Sequence, residues 1–114
     1  MSDCIFCKIA AGEIPCTFLH EDEELVAFRD IAPQAPTHIL IVPKVHIADL
    51  NALDAAHQAL VGRIPLVAAK LAKSLGVAES GYRIVTNCGP DGGQTVHHLH
   101  THLLGGRSLV GQMG

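Results

Sequence analysis

The sequence predicts an α+β fold with a mostly antiparallel sheet and one long helix. Three observations carry that expectation: short apolar runs between turn residues in positions 17–42, one helix-spaced apolar pattern across 60–75, and two further apolar runs after it. Strands, then a helix, then strands is the order of an α+β domain rather than of repeated βαβ units. At 114 residues the chain is expected to form a single domain, residues 1–114.

Each element has a local reason. Residues 5–11 read as a short helix stopped by Gly12 and Pro15. Residues 17–20 and 24–28 read as two strands joined across Glu21, Asp22 and Glu23. Pro33 and Pro36 mark a loop, and 38–42 is an apolar strand ended by Pro43. Leu60, Val61, Ile64, Val67, Ala68, Leu71, Ala72 and Leu75 recur on one helical face, with Gly76 suited to the end. Pro65 lacks an N–H, so it predicts a kink or a new helical start near Gly62 and Arg63. Residues 82–87 read as a strand, a Gly/Pro turn runs through Gly93, and 96–104 is the last strand.

Composition narrows the function. Hydrophobic residues are 48% and charged residues 17% of the chain, the balance of a globular protein rather than a disordered one. A formal charge of −3 and no basic stripe argue against nucleic-acid binding, while leaving a single nucleotide admissible. Ile39-Leu40-Ile41-Val42 is too short to cross a bilayer, so no membrane association is expected. The start, Met1-Ser2-Asp3-Cys4, has no leader character, and the four cysteines therefore read as free thiols or metal ligands in a cytoplasmic protein. So small a chain buries a modest core, which favours pairing with a second copy.

The chemistry concentrates in His98, His100 and His102. On a strand these alternate residues share a face, about 6.6 Å apart at about 3.3 Å of rise per residue. Leu99, Thr101 and Leu103 then face the long helix. A phosphate could touch two neighbouring imidazoles, and a zinc ion held by three histidines is the competing reading. His97 is expected to be exposed, and His20 and His57 to be ordinary packed or solvent-facing residues.

Asn87 and the run Gly89-Pro90-Asp91-Gly92-Gly93-Gln94-Thr95 favour phosphate, because small residues let backbone N–H groups approach an anion. Cys4 and Cys7 form a CxxC that lacks the βαβ context of a redox motif. They are half of a zinc site or two unliganded thiols, and Cys16 and Cys88 have no evident partner.

These residues resemble the histidine-triad (HIT) family, in its Hint branch. His98-Leu99-His100-Thr101-His102-Leu103-Leu104 meets the family pattern, with Thr101 replacing an apolar residue. Phe28-Arg29-Asp30-Ile31, Pro36-Thr37-His38, Val42-Pro43-Lys44-Val45-His46, Asn87, Gly92-Gly93-Gln94-Thr95 and Leu104-Gly105-Gly106-Arg107 look like family blocks in family order.

The resemblance implies a HIT-like protomer whose sheet continues into a second copy, giving a homodimer. It implies hydrolysis of a purine nucleoside phosphoramidate, or a related acyl-adenylate, through a nucleotidyl-histidine formed on His100. His98, His102 and Thr95 are implied as its catalytic companions. Phosphate contacts fall to His38, His102, Asn87, Gly93, Gln94 and Thr95, ribose to Asp30, and the base to Phe6, Phe28 and Ile31. By analogy with bacterial relatives, zinc would be held by Cys4, Cys7, His46 and His98, without taking part in the chemistry. Dinucleoside polyphosphate hydrolysis and a non-catalytic nucleotide-binding or zinc-stabilised module are the alternatives. His102 stands where the family's transferases usually carry glutamine, which favours hydrolysis. Arg29 replaces a histidine common in eukaryotic relatives, and the tail 108–114 lacks their tryptophan.

Overall fold

A computed structural model describes residues 4–111. The outermost positions, Met1 to Asp3 and Gln112 to Gly114, bear on the leader and tail readings and lie outside the described residues. Helix α1 (Ile5–Ala10) is followed by strands β1 (His20–Glu21), β2 (Leu25–Arg29) and β3 (Thr37–Pro43). Then come the long helix α2 (Gln58–Ser74) and strands β4 (Tyr82–Thr86) and β5 (Thr101–Gly105). The strands form one antiparallel sheet in the order β1-β2-β3-β5-β4, as the α+β reading expects.

Strand alternation divides the core between the two faces of the sheet. Leu25, Ala27, Ile39, Ile41 and Leu103 pack with Ile64, Val67, Ala68 and Leu71 of α2. Their neighbours Val26, Phe28, Leu40 and Val42 pack with Phe6 and Ile9 of α1. His38 and His102 alternate with the residues that face α2, so they stand on the face that carries α1. Burying side chains of this size contributes about 1.5–3 kcal/mol each, enough to fix which face each strand residue takes.

Most bounds shift by a residue or two from the expectation, and three departures are larger. The first strand is His20–Glu21 rather than residues 17–20, and it ends there because Asp22 draws the chain into a tight turn by accepting the N–H groups of Glu24 and Leu25. Arg63 of α2 bonds the same carboxylate, tying this turn to the helix and holding the Asp22 carboxyl well below the usual range. Helix α2 neither restarts nor ends at Pro65. That residue lies on the exposed side, where water can satisfy the carbonyl it leaves without a partner.

The last strand begins at Thr101 rather than Val96. Its partner β3 ends at Pro43, which has no N–H to continue the ladder. The ring of His98 bonds the Pro43 carbonyl instead, at 2.7 Å, and the Leu99 N–H reaches the Ile47 carbonyl.

Candidate active site and metal centre

The residues 96–100 lead into β5 without ladder pairing, yet the alternation of their side chains persists. Leu99 and Leu103 enter the α2 core, and the Thr101 hydroxyl bonds that of Thr86 at 2.7 Å. The three histidines of the row do not form one cluster. His100 and His102 lie side by side, ring centroids 5.1 Å apart, whereas His98 turns toward the cysteines. This geometry removes the metal site of three strand histidines. His97 is exposed, His20 pairs with Asp22, and His57 completes a capping box with Asp54.

Hydrogen bonds to groups of fixed polarity reveal the tautomers. His100 Nδ1 lies 2.7 Å from the carbonyl oxygen of His98, so it must donate, which in the neutral ring leaves the lone pair on Nε2. The Gln34 N–H donates to His38 Nδ1 at 2.9 Å, which places the proton of neutral His38 on Nε2. That Nε2–H donates to His102 Nδ1 at 2.9 Å, and His102 therefore carries its proton on Nε2. Asp30 closes the chain with an oxygen 3.4 Å from His38 Nε2, its other oxygen accepting the Ala32 N–H. Burial, followed by the charges of His100 and His38, lowers the His102 pKa to about 4 against the pull of Asp30. Burial also lowers that of His38. In their neutral tautomers the two rings set a bare nitrogen on His100 beside an N–H donor on His102.

The glycine turn departs from its expected use. The N–H groups of Gly93 and Gln94 donate to the carbonyls of Pro90 and Gly89, so both are spent inside the turn. The Gln94 side chain accepts from the Gly89 N–H and donates to Ala48 and Val96, bracing the loop through its whole amide. Asn87 donates to the Gly92 carbonyl, and Thr95 is exposed. Among the three residues assigned to the base, Phe6 and Phe28 are buried edge to face at 5.8 Å, while Ile31 is fully exposed.

An open cleft of about 610 Å³ adjoins His38, His102 and Asn87, and Arg83 and Arg107 line it too. Neither arginine was singled out as a site residue from sequence. Nor was Gln34, whose contribution is a backbone N–H that no side-chain pattern reveals.

Cys4, Cys7, His46 and His98 meet on the α1 side, their donor atoms all within 4.8 Å of one another. His98 Nε2 donates to Pro43, so its Nδ1 lone pair faces Cys4 Sγ at 3.3 Å and Cys7 Sγ at 3.5 Å. His46 Nδ1 lies 3.2 Å from Cys7 Sγ. Tetrahedral zinc, with bonds of about 2.3 Å to sulfur and 2.0–2.1 Å to nitrogen, separates S and N ligands by about 3.6 Å. The four residues fit a metal ion with little adjustment. Cys16 is exposed, and no disulfide joins the four cysteines.

Fold and site define an antiparallel α+β protein with paired histidines on one sheet face and a thiol–imidazole centre beside them. The sequence model of the HIT domain matches residues 11–109. A HIT-like protein of Synechococcus elongatus is 56% identical over 108 residues, covering 95% of this chain and 94% of that protein. The purine nucleoside phosphoramidase of Escherichia coli K12 is 51% identical over 105 residues, covering 92% of this chain and 88% of that enzyme. A crystal structure of a HIT family hydrolase from Legionella pneumophila superposes with a TM-score of 0.92 at 53% identity, covering 95% and 96% of the two chains. The chain belongs to the histidine-triad family.

Proposed function

We propose that this protein hydrolyses purine nucleoside phosphoramidates, with His100 as nucleophile. The observation that carries the reading is the bond from His100 Nδ1 to the His98 carbonyl, which in the neutral ring leaves the Nε2 lone pair free to attack. Similarity to the E. coli phosphoramidase supports the substrate class.

In the first step Nε2 forms a bond to the α-phosphorus as the P–N bond breaks, and the departing amine takes up a proton relayed through Thr95 or His102, which the water consumed in the second step gives back. His102 presents its Nε2–H to the phosphoryl group, where a donor stabilises charge that shifts during transfer. Water then attacks the nucleotidyl-histidine, releasing the nucleoside monophosphate and restoring neutral His100. His38 keeps His102 in the donating tautomer, and Asp30 is assigned to the ribose hydroxyls. Phe6, Phe28 and Ile31 are assigned to the base, and Asn87 and Thr95 to the phosphate side, with Gly93 and Gln94 shaping the turn between them.

His100→Ala is expected to lower turnover of adenosine 5′-phosphoramidate by about a thousandfold or more while AMP binding persists. Near-normal turnover by that variant would refute the assignment. A panel that includes diadenosine polyphosphates separates this activity from dinucleoside polyphosphate hydrolysis, and AMP binding without any turnover would indicate a binding module.

The same reading gives Cys4, Cys7, His46 and His98 one zinc ion as a structural tie, and a second copy at the sheet edge. Protein purified without chelator is expected to hold about one zinc per chain and to melt at lower temperature once stripped. Metal analysis that found none would remove the zinc assignment.

A further inference from the structure

The thiol–imidazole centre and the nucleophile are neighbours through two separate routes. The first is covalent: His98 faces the sulfurs with its ring, and the carbonyl of the same residue accepts the Nδ1–H of His100. With Nε2 bonded to Pro43 and Nδ1 at the centre, the His98 ring is held at both nitrogens, which limits rotation of the backbone that carries this carbonyl.

The second route is packing. Phe6 lies between Cys4 and Cys7 in sequence, and its ring meets His98 edge to face at 6.0 Å and His100 at 5.1 Å. Helix α1 has only six residues, too few to persist without tertiary anchors. Its anchors are the apolar contacts of Phe6 and Ile9 and the two cysteines at the centre.

We propose that the Cys4–Cys7–His46–His98 centre is a positioning site for the nucleophile. By gripping His98 and α1 together, it fixes both the acceptor that holds the His100 tautomer and the aromatic wall against the His100 ring. Metal held there then controls catalytic rate without touching substrate. This rests on His100 being the nucleophile and on the centre binding zinc.

His46 is the residue to perturb, because it is exposed and contributes no atom to either route; its ring also meets that of His98 edge to face at 5.0 Å, a contact that His46→Cys removes as His46→Ala does. The full chain as wild type, His46→Ala and His46→Cys is compared by zinc content, by kcat and KM for adenosine 5′-phosphoramidate, and by AMP affinity. The proton on His100 Nδ1 is followed by NMR, since a buried, bonded imidazole N–H exchanges slowly enough to be seen. Zinc-free His46→Ala is expected to lose about 10–100-fold in kcat, as when groups that orient a reactive site are removed, with AMP affinity within threefold. Its Nδ1–H signal disappears. His46→Cys, which restores a ligand, recovers zinc, rate and signal.

A folded, zinc-free His46→Ala that keeps kcat within twofold, or keeps the Nδ1–H signal, overturns the proposal. If that variant does not fold, wild-type protein stripped with chelator in the cold is judged by the same signal and the same limits. Should His100→Ala prove active, the nucleophile assignment falls, while the NMR signal still decides whether the centre positions His100.

Discussion

Single atoms decide what each histidine can do. His98, His100 and His102 have the same side chain within five residues, yet a carbonyl puts the proton of His100 on Nδ1, while Pro43 and His38 put those of His98 and His102 on Nε2. His102 carries a pH consequence. Its pKa in the folded protein is about 4, against an ordinary value near 6.5. Between those values the unfolded chain binds a proton that the folded one does not, so stability rises with pH across the window. The contribution is complete above about pH 6.5 and is lost as pH falls toward 4. Allowing for partial exposure, it is on the order of 2 kcal/mol. Urea midpoints between pH 4 and 7 are expected to fall more steeply on the acid side for wild type than for His102→Gln. Parallel curves would show that His102 does not carry this term.

Turns and strand ends are the elements that place the site. The 89–95 turn stands beside the histidines because Asn87 and Gln94 lash it to itself and to Ala48. Its two adjacent glycines are needed for different reasons. A Cβ on Gly92 would fall 2.2 Å from the Cys88 carbonyl oxygen, which forces the backbone apart. Gly93 has a left-handed φ of +83° but open space around it, its nearest neighbour 3.8 Å away. Gly92→Ala is therefore expected to cost about 2–4 kcal/mol and to depress kcat/KM, and Gly93→Ala only about 1–2 kcal/mol. Equal costs in denaturant titration would contradict the geometry. The end of β3 acts similarly, since Pro43 cannot extend the ladder and so frees 96–100 to turn His98 toward the cysteines.

Assembly belongs to the whole molecule. Strand β4 lies at the sheet edge and pairs with β5 alone among the described strands, leaving backbone groups available to another strand. Tyr82 and Ile84 of β4 are each 39% exposed, and Leu66 of α2 is 71% exposed. An apolar edge of this kind suits a two-fold pairing of identical surfaces. Light scattering is expected to give twice the chain mass at micromolar concentration, and Ile84→Lys to shift it toward one chain. Monomer mass for the wild type throughout that range would rule the dimer out.

The sequence by itself determined the α+β class, the helix, the two-sided strands and the family, because these rest on local periodicity and motif order. The zinc quartet was assigned only through the family resemblance, since 94 positions separate Cys4 from His98. Tertiary structure alone decided how far the strands reach, because a strand persists only while its neighbour can pair. It decided that Pro65 leaves α2 continuous, which depends on the side of the helix that faces water. It also decided the tautomers, and with them which ring nitrogens hold a lone pair and which donate. Those follow from carbonyls and N–H groups of Pro43, His98 and Gln34, backbone atoms that every residue has and no side-chain pattern distinguishes.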